Sequence, residues 1–448
     1  MKRILFLAVI ACVGLYFWWS NCGSTPATES AHRDWVYGSV VYEMNVRQQT
    51  PEGTFAAAEE RLPFLKELGV DIIWLMPIHP IGEKGRKGTL GSYYAIRDYR
   101  AINPEFGTME DFEKFLAKAH ELGFRVILDY VANHTSPDAA WVDEKPANWY
   151  VRDSLGVPVV QYDWWDIAKL NYETPEVHAE MKEVLKFWVA KGVDGFRCDV
   201  AGEIPDDYWK AAWAELRAIN PDLYFLAEGE GSNFHADGFD ACYAWKLKDV
   251  INDVAQGKRT TAAFKEWIKE FTEQYPREAI QLTFTSNHDE NSWSGTEFER
   301  LGDAVKTMAV LTYLLPQGQP LIYTGQEVGY DHRFEFFEKD PIPAWEPNEY
   351  TELYRTLNAL RHNNPALWAG EKGGEAVYVA GVPEEVLAFT REVEGNKVLA
   401  LFNLSTEEQT INLPTELQGA YVDMYGAENE LGEAFTLPAW GYRVEIRK

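Results

Sequence analysis

Cysteine is scarce: the chain has four in 448 residues, at positions 12, 22, 198 and 242. Cys12 and Cys22 fall within or just after an apolar leader, so only Cys198 and Cys242 remain for the folded body. That leaves no disulfide framework, and no C-x-x-C pair offers a thiolate metal site. Positive charge is also short. Against 70 Asp and Glu stand 42 Lys and Arg, for a formal net charge of −28. A surface of that sign repels phosphate backbones and argues against nucleic acid as a partner. No glycine-rich phosphate loop follows the first strand, which disfavours a doubly wound nucleotide-binding sheet. The one long apolar run, Ile4 to Trp19, is shorter than the ~20 residues a membrane-spanning helix needs.

That run has a basic start, Lys2-Arg3, and leads to Cys22 and a small polar stretch from Gly23 to Thr28. Residues 1–22 therefore read as a processing segment and 23–34 as a tether. The pattern resembles a bacterial lipoprotein signal, although Trp19 and Asn21 depart from the usual residues before the cysteine. The resemblance implies an exported protein, periplasmic or held at the cell envelope by a lipid anchor on Cys22.

From Trp35 strands and helices alternate. Strands are expected at 39–43, 70–77, 124–129, 193–200, 223–228, 239–243, 279–285 and 320–324. Helices are expected at 55–68 with a break at Pro63, and at 108–122, 178–191, 209–219, 262–274 and 301–314. Thr108 and Asp111 form a capping box that opens the second of these helices. Eight strands interleaved with helices imply a (β/α)8 TIM barrel, here over residues 35–370. Residues 134–176 lack either period and are rich in tryptophan, with Trp141, Trp149, Trp164 and Trp165. They read as an inserted loop subdomain after strand three. Short strands at 386–391, 398–402, 409–413 and 442–446, with turns between them, imply a C-terminal antiparallel β-sandwich over 371–448.

Barrels of this type build their sites at the carboxyl ends of the strands. Polar residues there are Asp129, Asn133 and His134 after strand three, Arg197 and Asp199 at strand four, Glu228 at strand five, and His288 and Asp289 after strand seven. One such residue alone would be an ion pair or a cap. Four strand ends carrying them together point to a reaction site, and carboxylates without a metal pattern point to glycoside chemistry. Arg197 and Asp199 share a strand face, so the guanidinium is expected to hold that carboxylate ionised, as a nucleophile needs. Glu228 closes an apolar strand, a setting suited to a proton donor. Asp289 beside His288 suits a group that grips sugar hydroxyls.

The segments D-Y-V-A-N-H at 129–134, G-F-R-C-D at 195–199, A-E at 227–228 and S-N-H-D at 286–289 resemble the four ordered blocks of the α-amylase family of retaining glycoside hydrolases. The resemblance extends to Tyr94 and Asp98 in Y-Y-A-I-R-D and to Gly325-Gln326-Glu327. It implies Asp199 as nucleophile, Glu228 as acid and base, and Asp289 as stabiliser of the transition state. It also implies Tyr94, His134, Arg197 and His288 as sugar ligands, Asn133 as a ligand of a possible Ca2+, and no other cofactor. Val200-Ala201-Gly202-Glu203 departs from the Lys-His pair many α-amylases carry after the nucleophile. The expected activity is hydrolysis of α-1,4-glucosidic bonds in starch-like glucans or maltooligosaccharides. An α-glucan transglycosylase with the same site, and a non-catalytic surface glycan-binding protein, are the alternatives.

Overall fold

The computed structural model describes residues 32–447. The processing segment, Cys22 and most of the tether lie outside the described residues. Eight parallel strands close a barrel: β1 Val41–Met44, β2 Ile72–Leu75, β3 Arg125–Tyr130, β4 Gly195–Cys198, β5 Tyr224–Ala227, β6 Ala241–Tyr243, β7 Ile280–Thr283 and β8 Gly318–Tyr323. Neighbours follow chain order, and Val41 of β1 lies opposite both Ile72 of β2 and Leu321 of β8, which closes the ring. The expected barrel is the observed one. Among the described residues no helix is long and apolar enough to cross a membrane.

Side chains alternate along each strand, and the barrel turns that alternation into two apolar layers. Ile72, Trp74, Ile127, Leu226 and Leu282 fill the inside. Ile73, Leu75, Leu128, Phe196 and Phe225 face the surrounding helices. The same period sends Glu43, Asp129 and Arg197 inward at the carboxyl ends of β1, β3 and β4, where the register sets Asp129 opposite Arg197. Charged groups therefore cap an apolar interior. The helix Met109–Glu121 begins with the expected capping box, Thr108 Oγ1 accepting from the Asp111 amide while the Asp111 carboxylate accepts from that of Thr108. The expected helix at 55–68 is two, Phe55–Glu59 and Leu62–Leu68, restarted with Pro63 in its first turn.

The loops at the carboxyl end are unequal. Long segments follow β2 (76–108), β3 (131–174) and β8 (324–348), whereas β6 runs almost directly into the helix Trp245–Ala255. The loop after β3 contains a two-residue ribbon, His134–Thr135 against Ala168–Lys169, and a helical turn at Trp141–Glu144.

Beyond the barrel come β9 Val377–Tyr378, β10 Val386–Val393, β11 Asn396–Asn403, β12 Gln409–Asn412, β13 Gly419–Asp423, β14 Glu428–Leu431, β15 Ala434–Leu437 and β16 Tyr442–Arg447. Six form an antiparallel sheet in the order β9-β10-β11-β16-β13-β14, and β12 pairs with β15. Leu399, Leu401, Ile411 and Leu437 form a core between them. Arg391 of β10 extends to the amino-terminal end of the barrel, donating to the carbonyls of Leu314, Leu315, Leu367, Trp368 and Gly374. Beside it Arg361 donates to the carbonyls of Tyr37, Gly38, Ser39 and Leu367.

Candidate active site

Arg197 is the hub. Its side chain is wholly buried, and its Nη1 donates to both oxygens of Asp129, at 3.0 and 3.1 Å, and to Asp199 Oδ1 at 3.0 Å. Nη2 pairs with Glu228 Oε2 at 2.9 Å, and Nε donates to the Tyr243 hydroxyl at 3.2 Å. Trp74 completes the socket: its ring lies 4.9 Å from the guanidinium carbon and its Nε1 donates to Asp129. One cation thus orients three carboxylates, two of which, Asp199 and Glu228, face the cavity.

Three acids around one guanidinium exceed its charge. Burial, then the neighbouring Glu228 carboxylate, push Asp199 well above the usual carboxylate range despite the opposing pull of Arg197. Asp129 is raised as well, chiefly by burial. The expectation that Arg197 alone holds Asp199 ionised is therefore corrected. Two residues of sequence show one neighbour, whereas the folded barrel brings Asp129 and Glu228 to the same cation.

Val200, directly after Asp199, has φ 38° and ψ 49°. A β-branched residue is strained in that left-handed region. The strain has a visible result: the Val200 amide donates to Glu228 Oε2 at 2.7 Å. Oε2 is thereby taken by Val200 and Arg197, and a proton on Glu228 would sit on Oε1.

The opposite wall is built from β1, the loop after β2, and the segment after β7. The Tyr94 hydroxyl donates to Asp129 Oδ2 at 3.0 Å and lies 2.9 Å from His288 Nε2, and its ring stacks on His288 and Phe336. His288 Nδ1 donates to Glu43 Oε1 at 2.5 Å, and its Nε2 is 3.4 Å from Asp289 Oδ2. Burial disfavours its charge, but Asp289 and Glu43 outweigh that and raise its pKa to about 9. Asp289 and an imidazolium therefore face the cavity together. His134, by contrast, is lowered to about 4 by burial and is neutral. Its Nε2 donates to the Tyr94 carbonyl and its Nδ1 accepts from Asn133 Nδ2.

All seven expected catalytic and sugar-binding residues converge: Tyr94, His134, Asp199, Glu228, His288 and Asp289 line one cavity of about 360 Å³, with Arg197 directly beneath. Trp164, Trp293, Phe336, Phe337 and Lys87 are among the other residues of its lining. Asp98 is exposed and outside it, and Glu327 is buried with the Tyr42 hydroxyl. Sequence reasoning missed Glu43, Trp74 and Tyr243. Glu43 is the one with a readable signal, an acid closing an otherwise apolar strand.

Asn133 does not form a calcium site with its neighbours. Its Nδ2 donates to Gln161 and its Oδ1 is buried without a partner, so one neutral oxygen is on offer. The nearby Glu203 is taken by the Lys169 ammonium at 3.2 Å and the Tyr162 hydroxyl at 2.8 Å. Calcium takes six to eight oxygens, carboxylates prominent among them. No cluster of three His, Cys, Asp or Glu among the described residues could hold a metal.

The profile of the α-amylase catalytic domain matches residues 28–165 and 147–374, and that of the maltogenic amylase C-terminal domain matches 379–444. Alpha-amylase 3 of Dictyoglomus thermophilum is 27% identical, over 86% of this chain and 88% of its own length. An α-1,4-glucan:maltose-1-phosphate maltosyltransferase of Salinibacter ruber is 28% identical over 82% of this chain, which spans 59% of that longer protein. The crystal structure of an α-amylase from Lactobacillus plantarum superposes with a TM-score of 0.82 at 30% identity, covering 92% of this chain and 99% of that one. With the barrel, the strand-end carboxylates and these matches in agreement, the chain belongs to the α-amylase family of glycoside hydrolases.

Proposed function

We propose that this enzyme hydrolyses α-1,4-glucosidic bonds of starch-like glucans or maltooligosaccharides by double displacement, with Asp199, Glu228 and Asp289 as its catalytic residues. The observation that carries the reading is the shared guanidinium: Arg197 aims Asp199 and Glu228 into one cavity while holding the charge between them. In the first step an Asp199 oxygen bonds to the anomeric carbon as the glycosidic C–O bond breaks, and Glu228 delivers its proton to the departing oxygen. For this the transferred proton leaves from Glu228 Oε1, the oxygen not engaged by Val200 and Arg197, while Asp199 attacks as the anion, stabilised by Arg197 Nη1. In the second step Glu228 takes a proton from water, whose oxygen displaces Asp199 from the anomeric carbon. Asp289 and the His288 imidazolium bind hydroxyls of the sugar at the cleaved bond, where their hydrogen bonds strengthen as the ring flattens. Tyr94 offers it a stacking face, and His134 an imidazole of fixed tautomer.

Transfer to a second sugar in place of water would use the same first step, and the maltosyltransferase relative makes it the reading to separate. A time course of products from amylose, maltoheptaose and pullulan does so, with Glu228→Gln as control. Short maltooligosaccharides that disappear with the variant support hydrolysis. Products longer than maltoheptaose would replace hydrolysis by transglycosylation, and no product from any substrate would overturn the reading. Export and lipid anchoring through Cys22 are proposed from the leader alone, which lies outside the described residues.

A further inference from the structure

We propose that the segment 82–91 after β2, centred on Lys87, closes the glycone end of the cleft, so that the enzyme removes short units from the non-reducing ends of glucan chains. The inference deepens the glycosidase reading and rests on it.

The segment is fastened on both sides. Toward the loop after β3, the Glu83 amide donates to Asp138 Oδ2 at 2.9 Å, and Lys87 Nζ pairs with the buried Asp166 at 3.1 Å. A Cβ on Gly85, at φ +75°, would stand 3.0 Å from the Trp165 carbonyl oxygen, so the two backbones are already in contact. Toward the loop after β8, the Thr89 amide donates to Glu338 Oε1 at 2.8 Å and the Leu90 amide to the Phe337 carbonyl at 3.0 Å. A Cβ on Gly88, at φ +60°, would lie 2.6 Å from that of Phe337. Two glycines therefore permit close approach at both anchor points, where larger residues would hold the segment off. Between the anchors the Lys87 ammonium lies 4.6 Å from the Trp165 ring centre and 5.9 Å from that of Phe337, and it lines the catalytic cavity. Three loops become one continuous wall.

The reaction geometry says which end of the sugar chain meets that wall. Glu228, directly after β5, protonates the departing oxygen, so the leaving portion extends over β5 and β6, where β6 runs almost directly into the helix at Trp245. The portion retained on Asp199 extends the other way, past Tyr94 and Phe336, and meets Phe337 and Lys87. A chain with a free non-reducing end can enter up to the wall and no further. A chain whose glycone side continues as polymer has no passage through it.

The test compares maltoheptaose carrying a fluorophore at its reducing end with the same compound bearing a 4,6-O-benzylidene group on its non-reducing terminal glucose. Wild type should shorten the free compound in short fixed steps and cut the blocked one at least about tenfold more slowly. Lys87→Ala removes the pairing cation and Asp166→Asn its partner charge, and a thermal melt checks that each variant is folded. Either folded variant should bring the blocked compound to within about threefold of the free one. Equal rates on both compounds with wild type would overturn the proposal while leaving the glycosidase reading standing. An unchanged ratio in both folded variants would overturn the role of Lys87. Failure of wild type to cut even the free compound would sink the glycosidase reading, and the proposal with it.

Discussion

The two ends of the barrel each bury arginine, and they use it in opposite ways. At the carboxyl end Arg197 lies among Asp129, Asp199 and Glu228. At the amino end Arg361 and Arg391 meet nine carbonyl contacts between them, the Leu367 carbonyl serving both, and among the described residues no carboxylate within bonding distance. A guanidinium offers five donors in a rigid fork, so it can close off backbone carbonyls that the ends of helices and strands leave unpaired. Surrounded by carboxylates, the same fork fixes where negative charge sits. One end is built for stability and the other for chemistry, as the placement of sites on such barrels leads one to expect.

Substitutions should separate these roles. Asp199→Ala and Glu228→Gln should each reduce kcat/KM by at least about 10⁴-fold with thermal stability changed little, as steady-state kinetics and a melt would show. Near-normal turnover in either would remove it from the mechanism. Arg197→Lys keeps the charge but loses the planar fork, and should lower kcat by about 10²–10³-fold. At the other end Arg391→Met should leave kcat of the folded enzyme near wild type while destabilising it by about 3 kcal/mol or more, because several buried carbonyls lose their donor. Denaturant unfolding alongside kinetics would read both. Loss of kcat without loss of stability there would erase the contrast.

The carboxyl end should also shape how stability responds to pH. His288, held at about 9 against an ordinary 6.5, binds its proton more tightly in the folded state. Its stabilisation is therefore complete below pH ~6.5 and lost as pH rises through 9, by up to about 3 kcal/mol. The raised carboxyls of Asp129 and Asp199 act in the same direction at lower pH. His134 and His79, both lowered to about 4, act in the other direction, since the unfolded chain gains protons first as pH falls from 6.5 toward 4. His288→Asn should flatten the alkaline limb of a stability–pH profile, and an unchanged limb would mean another group sets it. The smallest expected effect is that of metal removal. With Lys169 paired to Glu203 beside Asn133, chelation by EDTA should leave both melting temperature and rate within error, and a clear fall in either would restore a metal to that cluster.

Much of this was readable from the chain. The eight barrel strands are apolar runs separated by helices, and the chemistry sits in short segments at their ends, so β3, β4, β5 and β7 announce both fold and site. Glu43 escaped notice because an acid near the end of β1 looks like a solvent-facing position, and only closure of the barrel sets it against His288. The helix Trp245–Ala255 was missed because Ala244 supplies no side-chain cap to mark its start. In the C-terminal sheets β10 and β11 have buried apolar faces, whereas β9 and β14 are largely exposed and lack a strong alternating signal. The upward shift of Asp129 and Asp199 around Arg197 had no local signature. It arises from residues 129, 199 and 228 meeting at one cation, which is a property of the register and not of any segment.

The central claim is that Asp199 becomes covalently bonded to sugar while Glu228 manages the proton. It is tested most directly by reacting Glu228→Gln with α-maltosyl fluoride, whose leaving group departs without acid assistance, then quenching in acid and locating the adduct by peptide mass spectrometry. The account predicts one maltosyl unit on the peptide carrying Gly195 to Asp199, and none when Asp199→Ala is added. An adduct on Asp289, or fluoride release with inverted product and no adduct at any time, would contradict it.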